Sequence, residues 1–193
     1  MRPSALLIAF IIFFHNSGAQ INLPQFNKER AAINKTAFIV LGSWSVANII
    51  TGIAGQANSS GQAKYFHQMN LIWGSVNLVI AGSGYIGARR RHLDLSLSGS
   101  LKQQSVIEKT FLFNAGLDLA YLAAGAYFIE KGKNSNPDRY KGYGKSILLQ
   151  GGALLLFDLI MYSTHNQHGK KLLTVLNGIQ AGPNGLGLSL SLN

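Results

Sequence analysis

Two aspartates stand where an aspartate is costly. Asp118 lies in "LFNAGLDLAYLAAGA", residues 112–126, and Asp158 in "ALLLFDLIMY", residues 153–162, and neither stretch holds another charge. A charged Asp at the middle of a bilayer-spanning helix carries a penalty of about 2.5–3.5 kcal/mol. Two carboxyls close together in a low-dielectric site cannot both ionise cheaply, so such a pair would hold a proton or share a cation. Asn114 and Tyr121 fall on the helical face of Asp118 and would supply neighbouring hydrogen-bonding groups. The structural alternative is that both carboxyls are protonated and bonded to those neighbours, or paired with an arginine of "RRR", residues 89–91.

Other chemistry-bearing groups are fewer. In "KYFHQMN", residues 64–70, Lys64, Tyr65 and His67 crowd a cation, an aromatic and an imidazole, which suits anchoring at an interface or contact with a headgroup or ligand. Asn48, Asn70, Asn77 and Gln150 read as a polar core of amides bonding across helix contacts. His165 and His168 share a helix face and His92 stands near Asp94, yet histidines at the end of an apolar run are ordinarily solvated, and no metal is expected. The chain has no cysteine, so thiolate nucleophiles, thiolate metal sites and disulfides are excluded. No GxSxG, HExxH, P-loop or dinucleotide fingerprint occurs, and neither a catalytic residue nor a cofactor is expected.

The elements that must position these residues follow from hydropathy. The composition is 47% hydrophobic and 12% charged, about half the charged fraction of a soluble domain. Four windows have the length and the scarcity of charge of a transmembrane helix: 36–55, 69–88, 110–129 and 146–164. A soluble bundle would need a polar outer face on each helix, and these windows have almost none. The net charge of +10 comes from Lys and Arg between the apolar runs, flanking a bilayer rather than forming a face for nucleic acid, which is not expected as a partner. At about 1.5 Å per residue, Asp118 is roughly 12 Å from the start of its window and Asp158 roughly 9 Å from the end of its own. On adjacent antiparallel helices the two carboxyls therefore share a depth.

The N-terminus has the pattern of an export signal over residues 1–19: Arg2, the apolar run from Ala5 to Phe14, then Ser17 and Ala19 at small-residue cleavage positions. A fifth membrane anchor is the alternative. The expected organisation is a signal peptide at 1–19, a transmembrane domain at 20–169 and a polar, alternating tail at 170–193. A cleaved signal places the mature N-terminus outside the cytoplasm, whereas the positive-inside rule opposes it. The N-terminal flank, the "RRR" loop and the tail together carry ten Lys and Arg, against six in the other two loops.

The two halves read as copies of one helical hairpin. "INKTAFIVLG" at Ile33 matches "IEKTFLFNAG" at Ile107 with a constant offset, and Tyr65, Gly74 and Leu78 fall opposite Tyr143, Gly152 and Leu156 after a small loop insertion. Stripes of small and polar residues, such as Gly42, Ser45, Asn48, Gly52 and Gly55, mark the faces that should meet, within the chain, in a homo-oligomer or against a membrane-protein partner. "GLGLSLSL" in the tail and "HLDLSLS" at 92–98 alternate like strands, and could pair as a ribbon.

The "GAQ" closing the export signal, "FNKERAAINKTAFIVLGSWSVANIITG" and "KYFHQMNLIWGSVN" together resemble an uncharacterised family of small bacterial membrane proteins, a domain of unknown function of the kind common in Bacteroidota. The resemblance implies an integral membrane protein with no known activity and supplies no catalytic residues. The expectation is an all-α, four-helix bundle in the bacterial inner membrane, with the lipid bilayer as its first partner. It would act as a non-enzymatic structural or partner-binding component, or else as a small proton- or cation-linked carrier using Asp118 and Asp158. A lipid-modifying enzyme, resting on residues 64–70 and the His165 region, is the third reading.

Overall fold

The computed structural model describes residues 22–89, 94–177, 179–182 and 185–188. The expected signal peptide, His92 and two of the three "RRR" arginines lie outside them. Four long helices account for nearly everything else: α1 Leu23–Asn58, α2 Gly61–Arg89, α3 Leu97–Lys131 and α4 Pro137–Asn177. Each predicted window lies inside one of them, and all four helices are long and apolar enough to cross a membrane.

The helices outrun the windows because polar capping residues, not the ends of the apolar runs, set their limits. α1 starts at Asn22, whose side chain accepts a hydrogen bond from the Gln25 amide at 3.0 Å, with Pro24 in the first turn. Ser96 caps α3 by accepting from the Gly99 amide at 3.2 Å, so Leu97 and Ser98 are helical. That corrects the strand reading over residues 94–98, the described part of 92–98: a short alternating run has been overridden by a cap and a helix that packs. Between α3 and α4, Asn136 takes a left-handed φ of 41°, which a short polar side chain tolerates. α4 continues to Asn177, so the expected tail is helical over its first eight residues. Beyond it, β1 (Ile179–Gly182) pairs antiparallel with β2 (Gly185–Leu188), Ile179 opposite Leu188. The described part of the tail's alternation, Gly185–Leu188, is thus paired with its own neighbour in sequence.

Helices α1 and α2 form one antiparallel hairpin, α3 and α4 another, and α2 against α4 is the main seam between them. Glycines set the close approaches. A Cβ on Gly52 would stand 2.8 Å from Leu71 N and 2.9 Å from His67 O, and one on Gly125 would stand 2.9 Å from Leu148 Cγ and 3.0 Å from Gly144 O. Gly74 faces Ser45 O, and Gly151 faces Asp118 O. Every first-helix residue in the second set lies 73 positions after its counterpart, and every return-helix residue 77 positions after. The hairpins therefore pack alike, the second carrying a turn four residues longer. The sequence match has the same insertion but runs one position out of step with the packing. The small-residue stripes are spent inside the chain, on these contacts.

Burial is inverted relative to a soluble bundle. Among the described residues, fifteen buried side chains are polar or charged and eleven apolar, while Val79 is 73% exposed and Phe113 67%. Water would penalise that arrangement on both sides, since it leaves large apolar area wet and removes polar groups from solvent. Hydrocarbon around the bundle reverses both terms.

Candidate functional site

The centre of the bundle is a knot of amides around Gln150, which is fully buried. Its side-chain nitrogen donates to Asn48 Oδ1 at 2.6 Å and to Asn70 Oδ1 at 3.1 Å, and its oxygen accepts from Trp44 Nε1 at 3.0 Å. Ser146 Oγ also donates to Asn70 Oδ1, at 2.6 Å. One residue of α4 thus ties α1 and α2 together. The aromatic pair Trp73 and Tyr121, ring centroids 4.8 Å apart and nearly perpendicular, occupies the symmetry-related place, because Trp73 corresponds to Gln150 and Asn48 to Tyr121 in the hairpin register. Tyr121 is therefore an aromatic packing partner of α2. Asn77 is buried on its own, its amide nitrogen without a hydrogen-bond partner among the described residues.

Asp118 and Asp158 come together. Both are buried, on neighbouring helices, with their carboxyls in side-chain hydrogen-bonding contact and the Asn114 side chain bonded to Asp158. A hydrogen bond between two carboxyl groups requires a proton between them, since two bare carboxylates are both acceptors. Asp118 Oδ2 has no further partner. No arginine among the described residues reaches either carboxyl. The arrangement can hold a proton on a fixed pair of oxygens.

The trio from residues 64–70 does not converge. Tyr65 meets Tyr143 of α4 edge-on at 5.7 Å, His67 lies over Gly55 of α1, and Lys64 is exposed. Residues two apart on a helix point to different sides, which spacing within a short motif conceals.

A second polar cluster, absent from the sequence reading, closes the end of the bundle where α1 and α3 begin. Arg30 is buried; its guanidinium donates to Ser100 O at 2.8 Å, Asn27 Oδ1 at 2.8 Å and Gln103 Oε1 at 2.9 Å. Gln104 donates to Glu108 Oε1 at 2.8 Å and to the His165 carbonyl at 2.5 Å. His165 and His168 are buried, correcting the expectation of solvated histidines: His165 stacks on Phe111 and His168 on Phe26, at 5.5 and 4.1 Å between centroids. Glu29 receives Lys171 Nζ at 2.7 Å and faces His168 Nε2 at 3.3 Å. The Lys171 hydrogen bond, with help from Gln25, holds the Glu29 carboxyl down at about 2, and burial pushes the His168 imidazole below its ordinary value. The signal was present in the spacing. Asn27, Arg30, Asn34, Ala37, Leu41, Ser45 and Asn48 recur every three or four residues, so the buried face of α1 runs straight past the start of the apolar window.

Comparison with known proteins places this geometry in one family without adding an activity. No curated protein and no solved structure matches the chain. Residues 40–159 match a family of unknown function, DUF6992. That segment takes in the Gln150 knot and both aspartates and leaves out Arg30, His165 and His168; with most of its length matched, the chain belongs to the DUF6992 family.

Proposed function

We propose that this chain is an integral membrane protein that crosses the bilayer four times and acts as a non-enzymatic structural or partner-binding component. The observation that carries the reading is the use made of the interior polar groups: Gln150 bonds Asn48, Asn70 and Trp44, so the amides are committed to holding helices together. The exposed apolar surface supports the lipid environment. In the finer reading, the protein resides in a bacterial inner membrane, with residues 1–19 removed as a signal peptide and the mature N-terminus on the periplasmic side.

A second reading rests on one specific contact. The touching carboxyls of Asp118 and Asp158, with Asn114 beside them, suit a small proton- or cation-linked carrier. Proteoliposomes loaded with a pH-sensitive dye separate the two. A structural component dissipates an imposed pH gradient no faster than empty liposomes, and Asp118→Asn with Asp158→Asn changes nothing. Faster decay that the double variant abolishes would replace the structural reading with the carrier.

A further inference from the structure

A recess of about 500 Å³ opens on the outside of the bundle, between the start of α1 and the end of α2. Three of the side chains around it are cationic, Lys28, Lys35 and Arg89, and none is acidic. Ala31, Ala32, Ala88 and Ile39 add apolar lining. None of the three cations forms an ion pair among the described residues, and Glu29, the neighbour of Lys28 in sequence, is paired with Lys171. Lys35 Nζ and Arg89 Cζ stand 5.9 and 6.0 Å from the centre of the Tyr85 ring, so one aromatic ring is shared by two of the three heads.

The position along the helices matters as much as the charge. Ile39 is 55% exposed and lies in the first apolar window, while Lys28 and Lys35 precede that window's apolar core and Arg89 immediately follows the second window. The recess therefore spans the boundary between the polar end of the bundle and its apolar belt. An occupant must present an anion to the cations and hydrocarbon to Ile39. A free phosphate meets only the first demand, and a zwitterionic headgroup brings a cation of its own into a site that already holds three.

We propose that this recess binds the phosphodiester headgroup of an anionic phospholipid, with an acyl chain running down past Ile39. Cationic donors gathered around one recess suit such a headgroup, because hydrogen bonds between ionised partners are stronger than those between neutral ones. The inference rests on the membrane reading above and is independent of how Asp118 and Asp158 are used.

The test mixes purified protein in a neutral detergent with equal amounts of phosphatidylglycerol and phosphatidylcholine and counts bound lipids by native mass spectrometry. Wild type should retain the anionic lipid about tenfold over the zwitterionic one. The triple variant Lys28→Gln, Lys35→Gln, Arg89→Gln should bring the ratio close to one, whereas Lys102→Gln with Lys133→Gln, removing two exposed cations elsewhere, should leave it unchanged. An equal ratio in wild type, or an equal loss in both variants, overturns the pocket. Displacement of phosphatidylglycerol by millimolar inorganic phosphate would make it a plain anion site and overturns the lipid assignment. Flotation with phosphatidylcholine liposomes is run alongside: protein that fails to float refutes the membrane reading itself, while protein that floats but shows no lipid preference refutes only the pocket.

Discussion

Replacing Gln150 with Met keeps the length and bulk of the side chain and removes its hydrogen bonds. Three are lost, to Asn48, Asn70 and Trp44. Interhelical hydrogen bonds in membrane bundles average about 0.6 kcal/mol and reach about 1.7, so the expected loss is about 2 kcal/mol, with about 5 as its ceiling. The lower figure already changes the folded-to-unfolded ratio by about thirtyfold. The damage is uneven: Asn70 Oδ1 keeps Ser146, whereas Trp44 Nε1 and Asn48 Oδ1 lose the partners described above. Equilibrium unfolding in mixed detergent and dodecyl sulfate micelles, followed by far-ultraviolet circular dichroism, measures the loss, and the fluorescence of Trp44 in a Trp73→Phe background reports the site directly. Leu149→Met, one position away and facing outward, is the control. If Gln150→Met unfolds within about 0.5 kcal/mol of wild type, a change ordinary for a surface position, the amide knot is not what holds α4 to α1 and α2.

Three further outcomes are expected. Gly52→Ala puts a methyl against the α2 backbone at under 3 Å and should cost about 1–3 kcal/mol, whereas Gly152→Ala meets nothing within 4 Å and should be neutral or gain up to about 1 kcal/mol in helix propensity; unfolding midpoints of the two variants decide it. Glu29 is ionised in both states above its ordinary value of 4.5, and its folded value is about 2. Its contribution is therefore complete above pH 4.5 and lost as the pH falls toward 2, so Glu29→Gln should show a flatter melting-temperature profile in that window. Burial and then the charge of Lys171 lower the folded His168 imidazole from its ordinary 6.5; the unfolded chain takes up a proton first, so stability should fall as the pH drops below 6.5, and His168→Phe should remove that slope.

The inverted burial bears on how the family's matched segment works. In water, a knot such as Gln150 with Asn48 and Asn70 is a costly way to hold helices, because the separated groups hydrogen-bond equally well to solvent. In hydrocarbon no such competitor exists, and there is no hydrophobic force between the helices, so amides and close-packed glycines must supply the specificity. Gly52, Gly74, Gly125 and Gly151 do so at equivalent places in the two hairpins. Asp118 stands where the first hairpin has Ser45, and Asp158 where it has Ala81, in the same register. The carboxyl pair is thus an asymmetry laid over a repeated frame.

What the sequence determined by itself is the class of fold and its layout. Four apolar runs of bilayer length, an interior stripe at a spacing of three and four, and the depth shared by Asp118 and Asp158 all follow from one-dimensional periodicity, because helical geometry converts position into height and face. The four-residue insertion between the halves was legible for the same reason. What only the tertiary structure decided is which stripes meet. Lys64, Tyr65 and His67 looked like one site and diverge to solvent, α4 and α1; Tyr121, expected beside the carboxyls, turns to Trp73. Arg30, His165 and His168 lay beyond the apolar windows, and the histidines looked solvated, yet all three are buried, because α1, α3 and α4 extend past the apolar belt and close on one another there. Periodicity gives each helix a face, but the pairing of faces depends on rotations and crossings set by close contacts such as Gly52 on Leu71, which no single helix carries in its own pattern.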